Sequence, residues 1–232
     1  MRLPVFLQLL ALGLAMTPVH AGTLQGTVRA QPREGAGGNA AASGAYDSRK
    51  YKFVERVDYA HLTDFVVYLD GPIPTNAPRT ATTPAAPPAK VIQKGAIFVP
   101  HVLPIQTGSA VEWPNLDDIF HNVFSYSDAK PFDLGLYKHP ELKTVVFDKS
   151  GRVDVFCSIH KSMNCIILVL DTPHFAAADD RGRFEITGIP AGTYRFKAWH
   201  ERLPPLTREL TIPETGVVRS DFILGVGSLP KY

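Results

Sequence analysis

Short segments of β-branched and aromatic residues, separated by turn residues, recur along most of the chain. Examples are residues 23–30, residues 64–70 and the uniformly apolar run near residues 165–170. Segments of this length between glycines and prolines are typical of β-strands. Glycine and proline number 18 and 20 among the 232 residues, and no stretch after residue 21 has the 3.6-residue period of an amphipathic helix. The pattern predicts an all-β protein.

The first 21 residues have the layout of a secretory signal peptide. A positive charge at Arg2 precedes an apolar run over residues 3–16, and Val19 and Ala21 place small side chains ahead of a cleavage site before Gly22. That run is too short for a membrane span, which needs about 20 apolar residues, and no later segment approaches this length. We therefore expect export to the periplasm, with no transmembrane segment after cleavage.

Composition divides the rest of the chain into regions. Strand candidates in residues 22–71 precede a segment at 72–89 that is rich in proline, alanine and threonine and favours an extended linker. Closely spaced strand candidates follow in residues 90–171, as in a compact sandwich, and a second group lies in residues 172–232. The middle region is either inserted into one flanking sandwich or precedes an independent one. Insertion is favoured because it gives the N-terminal strands pairing partners.

The charge balance and the motifs argue against several classes of function. Lysine and arginine number 24 against 22 aspartates and glutamates, a net charge of +2, which gives no basic face for nucleic acid. The sequence contains no hydrolase triad, no His-Glu-x-x-His helix and no phosphate-binding glycine loop. We expect a protein that is not an enzyme.

Four residues carry the candidate chemistry of the middle region. His121 opens a predicted strand, and Cys157, His160 and Met163 follow together in the motif CSIHKSM. Two imidazoles, a thiolate and a weak thioether form the ligand set of blue-copper electron-transfer sites. The alternative is a disulfide between Cys157 and Cys165, the ordinary expectation for two cysteines in an exported protein.

The surroundings of these residues resemble the plastocyanin branch of the cupredoxins. The resemblance is carried by IFVPHVLPIQTGSAVEWPNLDDIFHNVFS at residues 97–125 and by VDVFCSIHKSM at residues 153–163. It implies a Greek-key sandwich over about 80 residues that holds one type 1 copper ion. It also assigns the equatorial ligands to His121, Cys157 and His160, and the axial ligand to Met163. The interval between His160 and Met163 is shorter than in plastocyanins.

The same resemblance implies roles for neighbouring residues. Asn122 and Ser158 each follow a ligand directly, and in the family these positions hydrogen-bond across the two ligand loops. Cys165 is then a buried free thiol. The loop histidine of cupredoxins reaches the surface among apolar residues, for which Phe120, Ile159 and Pro114 are the candidates here. Lys161, beside His160, would steer an acidic partner.

The C-terminal region resembles a second family. DDRGRFEITGIPAGTYRFKAWH at residues 179–200 is similar to carboxypeptidase regulatory-like, or prealbumin-like, domains, which carry an Asp-x-x-Gly-x-Phe strand and a Pro-x-Gly-x-Tyr hairpin. Residues 26–28 and 66–69 match the first two strands of that family. Such domains are mostly non-catalytic, so the resemblance implies a binding or spacer role.

Three functions follow from these interpretations. The first is an exported blue-copper protein that transfers single electrons between redox partners, such as a cytochrome or a periplasmic oxidoreductase. The second is a periplasmic copper chaperone or storage protein that uses the same four side chains, since cysteine and methionine also suit Cu(I). The third is a metal-free structural module, for which a Cys157–Cys165 disulfide would be the marker.

Overall fold

The computed structural model describes residues 21–32, 58–72 and 88–225, and within these ranges the regular structure consists of strands alone. The prediction of an all-β fold is confirmed. Among the described residues there is no helix with the length and apolar character needed to cross a membrane. In chain order the strands are β1 (Ala21–Ala30), β2 (Val66–Leu69), β3 (Ala89–Lys90), β4 (Ile92–Gln93), β5 (Phe98–Val99), β6 (Val102–Gln106), β7 (Ser109–Pro114), β8 (His121–Ser125), β9 (Phe132–Tyr137), β10 (Leu142–Phe147), β11 (Gly151–Phe156), β12 (Asn164–Leu170), β13 (Phe175–Ala177), β14 (Arg183–Pro190), β15 (Gly192–His200), β16 (Leu203–Ile212), β17 (Val217–Arg219) and β18 (Phe222–Leu224).

Several sequence predictions fall outside the described residues. They are the signal peptide except for its last residue, and the interior of the linker at 72–89. Ala21 is the first residue of β1 and pairs with Pro190.

Strands β3 to β12 form the part of the molecule that we call the central sandwich. One sheet has the strand order β6-β12-β11-β8-β9, a second has the order β10-β7-β3, and β4 and β5 form a two-stranded hairpin. Both larger sheets contribute to one core, for example through Val111 and Phe147 on one side and Val123 and Val153 on the other. Alternation of buried and exposed residues along β10 and β11 directs one face of each strand into this core.

The remaining strands form the flanking sandwich. β1 pairs with β14, β17 and β18, while β2 lies between β13 and β15 in the sheet β13-β2-β15-β16. The chain therefore leaves this sandwich after β2 and re-enters it at β13, on either side of the central sandwich. This pairing is the one expected if the central sandwich is inserted into the flanking sandwich. The domain boundaries themselves stay a prediction. Gly26 lets β1 lie close to the main chain at Ser220, between β17 and β18, because a Cβ at Gly26 would lie 1.9 Å from the carbonyl oxygen of Ser220.

Strand β12 joins the two sandwiches. Cys165, Ile167 and Val169 point into the central core, whereas Ile166 and Leu168 belong to a separate apolar cluster that includes Val66 of β2, with Tyr68, Phe175 and Trp199 packed against it. Because both faces of β12 are covered, its sequence is apolar without alternation. A polar contact adds to this interface, as His101 Nε2 lies 3.0 Å from Glu201 Oε1.

Candidate metal centre

Three of the four predicted ligands converge at one end of the central sandwich. His121 is the first residue of β8 and is completely buried, and its Nδ1 lies 3.1 Å from Nδ1 of His160. The Sγ atom of Cys157, directly after β11, lies 3.8 Å from the same His160 nitrogen. The ligand atoms of the three residues all lie within 4.8 Å of one another. Donors bound to one ion at about 2.0–2.3 Å have spacings of this size, so the three side chains can share a metal.

The hairpin between β11 and β12 explains why two of these donors are neighbours. The last residue pair of the hairpin before its loop is Phe156 with Asn164. Two main-chain hydrogen bonds then close the loop: the Cys157 amide donates to the Met163 carbonyl at 3.1 Å, and the Met163 amide donates to the His160 carbonyl at 3.0 Å. Main-chain hydrogen bonds therefore hold Cys157 and His160 on one compact loop. His121 belongs to β8, which lies beside this loop because it pairs with β11.

Met163 lies on the interior side of this loop. It is 1% exposed and belongs to the same core cluster as Cys157. A thioether ligand from this position would reach the metal from inside the protein. The axial role of Met163 stays a prediction.

Both cysteines are free thiols. Cys165 is buried on β12, where it pairs with Val155, and no disulfide joins it to Cys157. Burial raises the pKa of the Cys165 thiol, so this residue remains protonated and unreactive. The disulfide expected of a metal-free structural module is absent from the described residues.

The contacts of Asn122 and Ser158 differ from those expected. The main-chain amide of Asn122 points at Cys157 Sγ, 3.5 Å away, but its side chain donates to Asp133 Oδ1 on β9 at 2.7 Å. Bonds from the Gly135 amide and from Asn122 lower the pKa of Asp133, which keeps this carboxylate available as an acceptor. Ser158 is exposed, and among the described contacts it makes no hydrogen bond. The bond across the two ligand loops is thus an amide–sulfur contact, not a pair of side-chain bonds.

Asp117 contacts a candidate ligand and was not among the site residues that the sequence interpretation included. Its Oδ2 lies 2.8 Å from Nε2 of His121, the ring nitrogen that faces away from the other donors. The Ala96 amide above all, together with the Gly95 amide and His121, lowers the pKa of Asp117 to about 2, so the group is a carboxylate. The available signal was an acidic residue four positions before a candidate ligand.

Comparisons with known proteins find partial similarity to copper proteins. No family profile and no curated protein matches the chain. Among solved structures, the Cu-containing nitrite reductase NirK from Thermus scotoductus SA-01 is 30% identical over 37% of this chain and 23% of its own, with a TM-score of 0.35. A purple cupredoxin from Nitrosopumilus maritimus is 26% identical over 35% of this chain and 99% of its own, with a TM-score of 0.32. A mutant of amicyanin in its Cu(I) form is 19% identical over 36% of this chain and 82% of its own, with a TM-score of 0.34.

The matched part of this chain spans less than a quarter of the nitrite reductase. These neighbours are cupredoxin-type copper proteins, and the similarity is limited to part of the present chain. The case for a metal therefore rests on the geometry of the three donors.

Exposed apolar side chains flank two of the candidate ligands along the chain. Phe120 and Ile159, each adjacent to a ligand, are 49% and 52% exposed, and Ile119 is 50% exposed. Pro114, the third residue predicted for this ring, is half-buried in β7. Lys161 is exposed on the ligand loop, and Lys138 lies over the Phe120 ring with its Nζ 5.2 Å from the centroid. The residues next to His121 and His160 along the chain are thus apolar and exposed, and Lys161 and Lys138 place positive charges next to His160 and Phe120.

Proposed function

We propose that this protein is an exported blue-copper protein that transfers single electrons between redox partners. The observation that carries the proposal is the convergence of two imidazole nitrogens and one cysteine sulfur at one end of the central sandwich, where two of the three residues are buried. This donor set suits copper, and with a weak axial methionine it is the set of type 1 sites. His121, Cys157 and His160 would hold one ion, with Met163 as the axial ligand. When bound, copper supplies a one-electron couple.

The burial of the donors supports electron transfer more than catalysis on a substrate. Among the three converging donors, His121 and Cys157 are buried and only His160 is partly exposed, which favours a centre that is closed to substrates. Main-chain bonds across the loop keep Cys157 and His160 in place. A ligand set that moves little when the charge of the ion changes lowers the reorganisation cost of electron transfer.

The surface around His160 supports a docking role. Exposed Phe120, Ile119 and Ile159 form an apolar face beside the only one of the three converging donors that approaches solvent. We infer that electrons pass through the His160 ring edge to a redox protein docked on this face, such as a cytochrome or a periplasmic oxidoreductase. Lys161 would favour an acidic partner because opposite charges accelerate encounter.

The cellular location in this proposal rests on the sequence of residues 1–21. Their positive start, apolar run and small residues before Gly22 favour export through a cleaved signal peptide. The periplasm is therefore the proposed compartment.

The proposal is tested by the colour of the copper-loaded protein. Cu(II) supplied at one equivalent should give intense thiolate-to-metal charge-transfer absorption, because the Cys157 sulfur binds the ion. Cys157→Ala should abolish the band. Cys165→Ala is the matched control: this thiol is also free and buried, but it lies on β12 and is not among the converging donors, so the band should remain.

A colourless wild-type protein with stoichiometric Cu(II) and two free thiols would overturn the proposal. Loss of the band in Cys165→Ala, with retention in Cys157→Ala, would do the same.

A further inference from the structure

We propose that Asp117 is a positioning residue for His121, which orients the ring toward the metal and stabilises the divalent ion over the monovalent ion. The inference rests on the proposed copper site and adds to it a residue that sets affinity and reduction potential. Asp117 does not touch the ion itself; it acts through the imidazole.

The geometry of His121 makes the carboxylate its fixed partner. The ring is completely buried, so no solvent reaches its Nε2, and Asp117 Oδ2 lies 2.8 Å from this atom. A carboxylate only accepts, so Nε2 donates this hydrogen bond, and in the neutral form of the ring Nδ1 then keeps its lone pair. That Nδ1 atom is the one that lies 3.1 Å from His160 Nδ1, among the donors. One hydrogen bond thus selects which nitrogen faces the metal.

The carboxylate is itself held from a separate hairpin. The Gly95 amide donates to Asp117 Oδ1 at 2.7 Å, and the Ala96 amide donates to Oδ2 at 3.0 Å. Both residues lie in the turn between β4 and β5 with positive φ, 65° for Gly95 and 55° for Ala96. A positive φ is unfavourable for alanine, and such conformations persist where the surrounding structure determines them. Here the conformation aims two successive amides at one carboxylate.

The loop that carries Asp117 is fixed in the same way. Asn115 is buried, accepts from the Asp117 amide at 2.9 Å, and donates to the carbonyls of Ile119 at 3.0 Å and Tyr137 at 3.1 Å. The hydrogen bonds of Asn115 thus fix the position of the loop from which the Asp117 carboxylate reaches His121.

A negative charge on the far side of the ring acts differently on the two oxidation states. The carboxylate makes the imidazole a more basic ligand, which strengthens its bond to a metal. The Coulomb energy scales with the charge of the ion, so a divalent ion gains about twice as much as a monovalent one. The pair should therefore raise the affinity for Cu(II) more than that for Cu(I) and lower the reduction potential.

The test compares Asp117→Asn with Asp118→Asn in the full-length, copper-loaded protein. Removal of such an outer partner typically weakens metal binding by about 10–100-fold. We expect Asp117→Asn to weaken Cu(II) binding within this range, and Cu(I) binding by about tenfold less. For one electron, a tenfold difference equals about 59 mV, so the potential should rise by about that amount. Asp118→Asn removes the same charge from an exposed neighbour without a described contact to His121, and should change the potential little.

A conservative variant separates positioning from folding. Asp117→Glu keeps the charge on a longer side chain, and its potential should lie between those of the wild type and Asp117→Asn. Circular dichroism of the metal-free variants checks that each is folded. A coloured Asp117→Asn protein whose potential equals that of the wild type or of Asp118→Asn would overturn the inference and leave the copper site standing.

A second readout needs no copper. In the metal-free protein, nitrogen-15 NMR of the His121 ring should find the neutral tautomer with its proton on Nε2. A proton on Nδ1 would contradict the positioning role even if the colour test succeeds. If the wild type stays colourless while Nε2 carries the proton, the copper proposal fails and the orientation of His121 by Asp117 remains.

Discussion

The central sandwich buries more polar residues than the flanking sandwich. The flanking core consists mainly of aliphatic and aromatic side chains such as Leu24, Phe196 and Phe222, and the buried polar residues in its part of the described chain are Thr172, His200 and Ser220. The central sandwich buries five polar residues: Gln93, Asn115, His121, Asn122 and Ser125. Buried polar groups cost stability unless they are hydrogen-bonded, so a fold has no energetic reason to gather them. Asn122 follows His121 directly, and Gln93 and Asn115 hydrogen-bond to Tyr137, which pairs with His121. The position of these three polar residues next to the converging donors is consistent with a site in this part of the core.

The two sandwiches also differ in what they leave exposed. The flanking sandwich covers the outer face of β12 through Val66, Tyr68 and Trp199. The ligand loop that precedes β12 remains open, with Ile159 and Lys161 exposed. The flanking sandwich thus supports the strand behind the site without covering the face that a partner would use.

A pair of tyrosines tests the difference between the two cores, and has the largest expected effect. The Tyr137 hydroxyl donates to the Trp113 carbonyl at 2.7 Å and accepts from Gln93 Nε2 at 2.6 Å, in a buried network beneath His121. Burial raises the pKa of Tyr137, so the hydroxyl stays a donor. Tyr137→Phe should lower the free energy of unfolding by about 1–3 kcal/mol, since buried polar groups lose a partner.

Tyr194 in the flanking core is the matched control. Its hydroxyl makes a single long contact, 3.4 Å to the Ala191 carbonyl. Tyr194→Phe should therefore cost at most about 0.5 kcal/mol. Urea unfolding of both metal-free variants, followed by circular dichroism, gives the comparison. An equal or larger loss in Tyr194→Phe would show that the buried network of the central sandwich has no special energetic role.

A charge reversal on the ligand loop tests the exposed face, with a smaller effect. Lys161→Glu should slow oxidation of the Cu(I) protein by hexacyanoferrate(III), an anion, by up to about tenfold at low ionic strength. The effect should fade as salt shortens the Debye length to about 10 Å at 0.1 M. The absorption spectrum should stay nearly unchanged, because the lysine binds no metal.

Lys149→Glu provides the same charge change at a distance. Lys149 precedes β11 at the end opposite Cys157, about 20 Å away for six strand residues. Stopped-flow measurements of hexacyanoferrate(III) reduction should therefore find a lower rate for Lys161→Glu than for Lys149→Glu. Equal slowing in both variants would remove Lys161 from the docking surface, as would bleaching of the site by Lys161→Glu.

Much of the central sandwich follows from sequence pattern. The closely spaced strands predicted in residues 90–171 are present as β3 to β12, and the apolar run at 165–170 lies within β12. The proximity of three candidate ligands was also predictable, because Cys157, His160 and Met163 fall within one short loop between β11 and β12. Local sequence is sufficient where the contacts are local.

Features that depend on distant contacts were not predictable in this way. β9 contains Asp133 and Gly135, which are poor strand formers, and it is a strand because it pairs with β8. Asp117 acquires its role through amides more than 20 positions earlier in the chain. The second buried face of β12 exists because the flanking sandwich lies against it. In each case tertiary contacts, not local preference, determine the outcome.

The central claim is that the three converging donors form a reversible one-electron centre. The most direct measurement is a redox titration of the copper-loaded protein, followed at the thiolate-to-copper absorption band. The band should disappear on addition of one electron per protein and return fully on reoxidation, with copper bound throughout. Release of copper on reduction, or its transfer to an apo-protein without reversible redox, would contradict the claim and identify a copper-handling protein instead.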